Sequence, residues 1–312
     1  MVTARAAGES TATFAAENIT VASASEVGNV MRLAIAQQCE RAMLVVSVLN
    51  QQYARYMRPW AAMVSKSRIA QKLSIWVVAL DARTADAASR ANVSHFDASS
   101  TRLHASVQNA TAPQHTRNLP PSLGAWRFLA VWAGLAAGKR VLMSEADVLW
   151  DAKADFSAVM QSPLDYHGMM SGKPSVYNAG FFLAQGADAT RFFACLLALW
   201  IRQPSDVLAA EQTFMNAHLR RHDGHQQCVP LRHATLDPVV YSCCRRWHNA
   251  RRGERIDVAH LTYCRRLSGE HAGDSGLKRE DACKEKVVAA FFRAPFALAR
   301  LRKDQAPIVP GC

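Results

Sequence analysis

Apolar runs alternate with helical patterns along most of the chain. Continuous apolar segments bounded by polar residues predict buried strands, and apolar residues at helical spacing predict helices. The predicted strands are 42–50, 74–81, 93–99 and 139–150. The predicted helices are 26–41, 53–70, 83–92 and 122–138, with Pro59 bending the second and Gly138 ending the fourth. Strands that alternate with helices are typical of an α/β domain with a mostly parallel central sheet flanked by helices.

The second half of the chain has a less regular pattern. It predicts strands at 165–170, 175–186 and 255–263, helices at 188–201 and 209–222, and an amphipathic C-terminal helix at 287–302. We expect one domain over residues 25–303. A disordered Ala-, Ser- and Thr-rich extension (1–24) precedes it, and a short tail (304–312) follows.

Polar residues follow three of the predicted strands or interrupt them near their ends. These residues are Asn50, Asp81 and the pair Glu145 and Asp147. Ligands of parallel α/β sheets bind at the carboxyl ends of the strands. The positions of these residues therefore predict a binding site at that edge of the sheet.

Glu145 and Asp147 interrupt the apolar run VLMSEADVLW. Alternate residues of an extended segment point to the same side, so both carboxylates would share a face. Two close negative charges are costly unless a positive group lies between them, and Mg²⁺ or Mn²⁺ would fit, holding a diphosphate as well. The alternative is a solvated turn after an edge strand.

Composition narrows the class of ligand. The chain has 312 residues and a formal charge of +12, which favours an anionic partner such as a nucleotide or phosphate. Neither GxGxxG nor GxxxxGK[ST] occurs, which argues against dinucleotide-binding and P-loop enzymes. No basic helix face with stacking aromatic residues stands out, so we expect no nucleic-acid partner, although a basic nucleic-acid-binding protein remains an alternative.

The sequence gives conflicting indications of the compartment. No segment is apolar enough to span a bilayer, and no signal or anchor is visible at the N-terminus, which indicates a soluble cytoplasmic chain. The sequons at Asn18, Asn92 and Asn109 favour a secretory lumen, as do cysteines that would form one or two disulfides in the second half. Reduced buried thiols are the alternative. A zinc site is a further alternative, with Cys228, Cys243, Cys244 and His248, or His222 and His225, as ligands, but these residues lack paired CxxC spacing.

Three ordered blocks carry a resemblance to a known family. They are KRVLMSEADVLWDAKADF, then DYHGMMSGKPSVYNAGFFLAQG, then EQTFMNAHL. Over roughly residues 40–285 the chain resembles the nucleotide-diphospho-sugar transferases, which include plant cell-wall arabinosyl- and xylosyltransferases of the GT-A fold. The matching positions are Gly138, Val141, Asp147, Val148, Trp150, Asn178, Gly180, Phe181, Phe182, Gln212, Phe214 and Asn216. Glu145 and Glu211 depart from the pattern, since each replaces an aspartate.

The resemblance implies a GT-A fold and roles for individual residues. Glu145, Asp147 and His260 would bind Mn²⁺ or Mg²⁺, with a hydrogen-bonded core histidine as the alternative for His260. The other implied roles form two sets. Asn50, Tyr53, Asp81 and Lys278 would bind the nucleotide and its diphosphate, and Asn178, Glu211 and Gln212 would be catalytic.

The expected function is a metal-dependent glycosyltransferase. It would move a sugar from a UDP-sugar to a glycan or glycoprotein hydroxyl, with retention, and the resemblance implies the Golgi lumen. A degenerate family member acting as a nucleotide-sugar-binding or scaffold module is the alternative, because Glu145 replaces the first aspartate.

Overall fold

The computed structural model describes residues 21–101, 122–171, 176–202, 211–219, 228–237, 241–243 and 257–260. The predicted C-terminal helix at 287–302 and Lys278 lie outside these ranges. The helices are α1 (Val21–Gln38), α2 (Ala54–Lys66), α3 (Ala82–Arg90), α4 (Ser122–Ala136), α5 (Ser157–Met160), α6 (Gly186–Arg202) and α7 (Glu211–Leu219). The strands are β1 (Met43–Leu49), β2 (Leu73–Ala79), β3 (Ser94–Asp97), β4 (Arg140–Ser144), β5 (Val148–Trp150), β6 (Tyr166–Met170), β7 (Tyr177–Ala184), β8 (His233–Thr235), β9 (Tyr241–Cys243) and β10 (Val258–His260).

A seven-stranded sheet forms the centre of the fold, with strand order β3-β2-β1-β4-β7-β6-β8. Strand β7 pairs antiparallel with both β4 and β6, whereas the other pairings in this sheet are parallel. The prediction of a mostly parallel sheet is therefore confirmed. Strands β1, β2 and β4 end side by side, and the antiparallel β7 begins at the same edge.

Helices cover both faces of this sheet, because alternate side chains of its buried strands point to opposite sides. On one face, Met43, Val45 and Leu49 of β1 pack in a core with buried residues of α2 such as Trp60. On the other face, residues of α1, α4 and α6 form a second core, which includes Leu44 of β1. The result is a three-layer α/β/α architecture.

One predicted strand is two strands in two different sheets. The segment 139–150 forms β4 in the central sheet and β5 in a second sheet of order β5-β10-β9. Between them the chain turns, with the Val148 amide donating to the Glu145 carbonyl at 3.1 Å. The prediction that Glu145 and Asp147 share one face of an extended segment is therefore wrong, because a turn at the end of β4 places them.

Several element boundaries differ from the predicted ones. Helix α1 begins at Val21, within the segment expected to be a disordered extension. Helix α2 ends at Lys66 and contains Pro59 within its length. Helix α4 ends as predicted, because Gly138 has a φ of 74° and takes the left-handed conformation that stops a helix.

The cysteines include one disulfide, between Cys195 on α6 and Cys228. This confirms the expectation of a disulfide in the second half and removes Cys228 from the zinc alternative. Cys39 is a buried free thiol, and burial raises its pKa to about 11, so it is not a reactive thiolate. None of the described helices is both long and apolar enough to cross a membrane.

Candidate active site

Ser144, the last residue of β4, fixes the start of the turn that carries Glu145 and Asp147. The Ser144 side chain is fully buried, and its hydroxyl oxygen accepts hydrogen bonds from the indole N–H groups of Trp60 (3.0 Å) and Trp150 (3.2 Å). A buried indole N–H without an acceptor would be costly, so this arrangement favours a single position for the end of β4. The tryptophan at position 150 therefore contributes to the placement of the two carboxylates.

Pairing within the second sheet brings His260 to the same turn. Strand β10 runs antiparallel to β5, and His260 lies opposite Val148 in the register. Its Nε2 is 2.9 Å from Glu145 Oε2 and 3.2 Å from Asp147 Oδ1. The pairing of two short strands thus joins residues that are 113 positions apart in sequence.

The three side chains fit a divalent cation. Their potential ligand atoms all lie within 4.8 Å of one another. His260 is completely buried, and its Nε2 can donate its single proton to one of the two nearby carboxylates at most, whereas both could share a cation with it. Two carboxylates and one imidazole are suitable ligands for Mn²⁺. The predicted set Glu145, Asp147 and His260 is therefore a candidate metal site.

Gly180 leaves the space that this cluster needs. A Cβ atom at this position would lie 2.1 Å from Glu145 Oε2 and 2.7 Å from His260 Cε1. The backbones are also joined, since the Glu145 amide donates to the Gly180 carbonyl at 2.8 Å. Glycine is therefore required by the close approach of β7 to the carboxylate turn.

Arg127 is a site residue that the sequence analysis missed. It lies on α4, is 5% exposed, and its guanidinium forms ion pairs with Glu145 and Glu211. Burial lowers its pKa to about 10, against the opposite effects of Tyr53 and Asp147, so it stays cationic at neutral pH. Arg127 thereby connects the carboxylate turn to the first residue of α7.

The charges of the cluster point to a divalent partner. Glu145, Asp147 and Glu211 contribute three negative charges, and Arg127 contributes one positive charge. With a neutral imidazole the group has a net charge of minus two. A bound divalent cation would cancel it, which satisfies the requirement that buried charges be compensated.

Hydrogen bonds join the second and third motif blocks. The Asn178 Oδ1 accepts from the Gly180 amide at 2.7 Å, and the Gln212 Oε1 accepts from the Ala179 amide at 3.2 Å. Asn216 accepts from the Tyr177 amide and donates to the Tyr177 carbonyl, at 2.7 and 2.8 Å. These bonds fix α7 against the beginning of β7, so Glu211, Gln212 and Asn178 lie in one connected group.

The ends of β1 and β2 form the neighbouring part of the edge. Asp81 caps α3 by accepting from the Thr84 amide at 2.8 Å, and its other oxygen accepts from the Gln51 amide at 2.5 Å. Asn50 accepts from the Gln52 amide at 3.1 Å. Tyr53 is half-buried at the start of α2. Asn50 and Asp81 thus shape the loop that follows β1.

Comparison with known protein families identifies the family of the chain. The family model described as nucleotide-diphospho-sugar transferase matches residues 73–271, which is more than half of the chain. The chain belongs to this transferase family. No curated protein sequence matches the chain.

A solved structure shows the fold of this transferase. The crystal structure of the galactosyltransferase LgtC, in complex with donor and acceptor sugar analogues, has a TM-score of 0.51 and 13% identity, covering 80% of this chain and 96% of that one. The glycosyltransferase GlyE from Streptococcus pneumoniae TIGR4 aligns with a TM-score of 0.46 and 10% identity, covering 81% of this chain and 64% of that one. The expectation of a GT-A glycosyltransferase fold is confirmed.

The transferase structure brings most of the predicted site residues to one edge of the sheet. Glu145, Asp147 and His260 form one cluster, and Arg127 joins it to Glu211. Asn178 and Gln212 lie next to it through β7, and Asn50, Tyr53 and Asp81 lie at the ends of the adjacent strands. Lys278 lies outside the described residues, and its role stays a prediction.

Proposed function

We propose that the chain is a metal-dependent glycosyltransferase whose donor is a UDP-sugar. The observation that carries the proposal is the compact cluster of Glu145, Asp147 and His260 at the carboxyl edge of the sheet. Its negative charge, together with that of Glu211, exceeds what Arg127 compensates. A cation bound there would neutralise charge on the departing diphosphate.

The donor would lie along the edge of the sheet. Asn50, Tyr53 and Asp81 would contact the base and ribose, and Lys278 is proposed as a diphosphate contact. The half-buried Tyr53 ring offers an apolar surface for a uracil, and the loop after β1 offers backbone groups. The parallel pairing of β1 with β4 supports this order, because it places the loop after β1 beside the turn that carries Glu145 and Asp147.

The sugar would lie between the metal cluster and α7. Glu211 forms an ion pair with Arg127, and Gln212 is oriented by bonds to the Ala179 amide and the Ser171 hydroxyl. The bond from the Ala179 amide joins Gln212 to the residue that follows Asn178, and we propose that Asn178, Glu211 and Gln212 face the anomeric carbon. A polar oxygen there would stabilise oxocarbenium-like charge during a retaining transfer to an acceptor hydroxyl.

We also propose that the enzyme works in an oxidising compartment, such as the Golgi lumen, on glycans or glycoproteins. The Cys195–Cys228 disulfide supports this location, because such bonds persist in secretory compartments and are rare in the cytosol.

Donor hydrolysis tests the proposal without knowledge of the acceptor. The full chain is incubated with a panel of UDP- and GDP-sugars in the presence of Mn²⁺, and release of nucleotide diphosphate is measured. The same panel is run with EDTA, with Asp147→Asn, and with Asp86→Asn, a matched exposed carboxylate on α3.

We expect one UDP-sugar to be hydrolysed by the wild type and by Asp86→Asn. Turnover should disappear with EDTA and in Asp147→Asn. Metal-dependent binding of a UDP-sugar without turnover, even with glycan acceptors added, would favour the scaffold alternative. Absence of any nucleotide-sugar binding would contradict the proposed function.

A further inference from the structure

The sequon Asn92-Val93-Ser94 covers the turn between α3 and β3 and ends at Ser94, the first residue of β3. It is the one of the three sequons that falls within the described ranges, since Asn18 and Asn109 lie outside them. Asn92 is exposed to solvent, and Val93 is buried, with 8% exposure. The fold thus presents the asparagine side chain outward and anchors the turn by the next residue.

The backbone of this turn does not depend on the asparagine side chain. The Asn92 amide donates to the Ser89 carbonyl, and the Val93 amide donates to the Ala88 carbonyl, both at 3.0 Å. Asn92 has a φ of 53°, a left-handed conformation that ends a helix and that asparagine tolerates well. Within the described part of the chain, its side-chain amide makes no hydrogen bond. It is therefore available for a covalent substituent.

The location of Asn92 separates it from the candidate active site. Strand β3 runs parallel to β2, and Asn92 precedes the start of β3, so it lies at the amino edge of the sheet. Asn50 and Glu145 follow the ends of β1 and β4, at the carboxyl edge. A bulky group on Asn92 would leave the donor and acceptor entry free.

A substituent here would also lie beside a terminal strand of the sheet. Among the described strands, β3 is at the end of the seven-stranded sheet, where it pairs with β2. Edge strands offer free backbone groups that promote pairing with other chains, and natural proteins cover or charge them. A large hydrophilic group at the start of β3 would hinder such pairing.

We propose that Asn92 carries an N-linked oligosaccharide. In this modification the Asn92 Nδ2 forms a bond to the anomeric carbon of a lipid-linked oligosaccharide diphosphate. The amide loses one proton, and the lipid diphosphate leaves. The Cys195–Cys228 disulfide is an independent indication of the compartment in which this transfer occurs. The proposal is separate from the transferase activity, which acts at the opposite edge.

Mass spectrometry of the full chain, tagged and purified from its native cells, tests the proposal. Trypsin releases the peptide 91–102, in which Asn92 is the single asparagine. Peptide N-glycosidase treatment in heavy-oxygen water converts a glycosylated asparagine into a labelled aspartate. We expect most copies of this peptide to carry the label after treatment. Before treatment, few copies should have the mass of the unmodified peptide.

Two variants at the third sequon position provide the controls. Ser94→Ala removes the sequon and keeps Asn92, so the label should be lost. Ser94→Thr keeps the sequon, so the label should remain. Both variants should retain donor hydrolysis, which distinguishes failure of this proposal from failure of the proposed function. An unmodified wild-type peptide, or a label that persists in Ser94→Ala, would overturn the assignment of Asn92.

Discussion

The Gly180→Ala substitution tests whether the carboxylate turn binds a cation. The new methyl carbon would lie 2.1 Å from Glu145 Oε2 and 2.6 Å from Glu145 Cδ, whereas real Cβ atoms stay at least 3.0 Å from other heavy atoms. Glu145 Oε2 must therefore move by about 1 Å. In a preorganised site, a displacement of that size can lower the reaction rate by about 100-fold. We expect Mn²⁺ affinity to fall by about that factor, which is about 2.8 kcal/mol.

The assay is a Mn²⁺ titration followed by the electron paramagnetic resonance signal of the free ion. Wild type, Gly180→Ala, Glu145→Ala and the double variant are compared, after circular dichroism shows that each is folded. The added methyl lies closer to Glu145 than to His260, so its cost should be smaller in the Glu145→Ala background than in the wild type. Wild-type affinity in Gly180→Ala, or losses that add fully in the double variant, would refute this reasoning.

Three further predictions concern stability, measured by urea denaturation. Arg127→Met leaves two partly buried carboxylates without their cationic partner and should lower the free energy of unfolding by about 3 kcal/mol; a loss of about a few tenths of a kcal/mol would contradict the bridging role. Replacing Cys195 and Cys228 together by serine opens a loop of 33 residues and should cost about 4 kcal/mol, whereas an unchanged midpoint under oxidising conditions would show that the bond does not form. Burial acts to raise the pKa of Asp165, but hydrogen bonds from Arg232 outweigh it and hold the pKa below the ordinary 3.8. The wild type should therefore have a higher free energy of unfolding than Asp165→Asn, with the full difference at neutral pH and a smaller one as pH falls through that lowered pKa. A difference that does not change with pH would contradict the pairing of Asp165 with Arg232.

The buried strands and their polar ends could be predicted from the sequence because they depend on local pattern. The segments around Val46 and Val78 are almost entirely apolar, as is typical of strands that are covered on both faces. Asn50 and Asp81 follow them directly. Their meeting at one edge then follows from parallel pairing, without knowledge of any particular contact.

The geometry of the carboxylate turn could not be predicted in the same way. An apolar run on both sides of Glu145 and Asp147 is compatible with one strand or two. The choice depends on β10, which pairs with β5 and brings His260 from 113 positions away. Periodicity carries no information about such pairing, so the resemblance to the family had to supply His260.

Arg127 was missed although the sequence contained a signal. It is the one charged residue in SLGAWRFLAVWAGLA, the sequence of α4. A charge inside an otherwise apolar helix must find a buried partner or reach solvent, so it indicates either a functional site or an edge of the helix. Its partners, Glu145 and Glu211, come from two distant motif blocks, and only the packing of α4 against α7 identifies them.

Binding of UDP, measured by calorimetry with Mn²⁺ and then with EDTA, tests the central claim most directly. If Glu145, Asp147 and His260 hold a cation that in turn holds the diphosphate, UDP should bind to the wild type with Mn²⁺. Binding should be lost with EDTA and in Asp147→Asn. Equal UDP affinity with Mn²⁺ and with EDTA, or no UDP binding under either condition, would contradict the account.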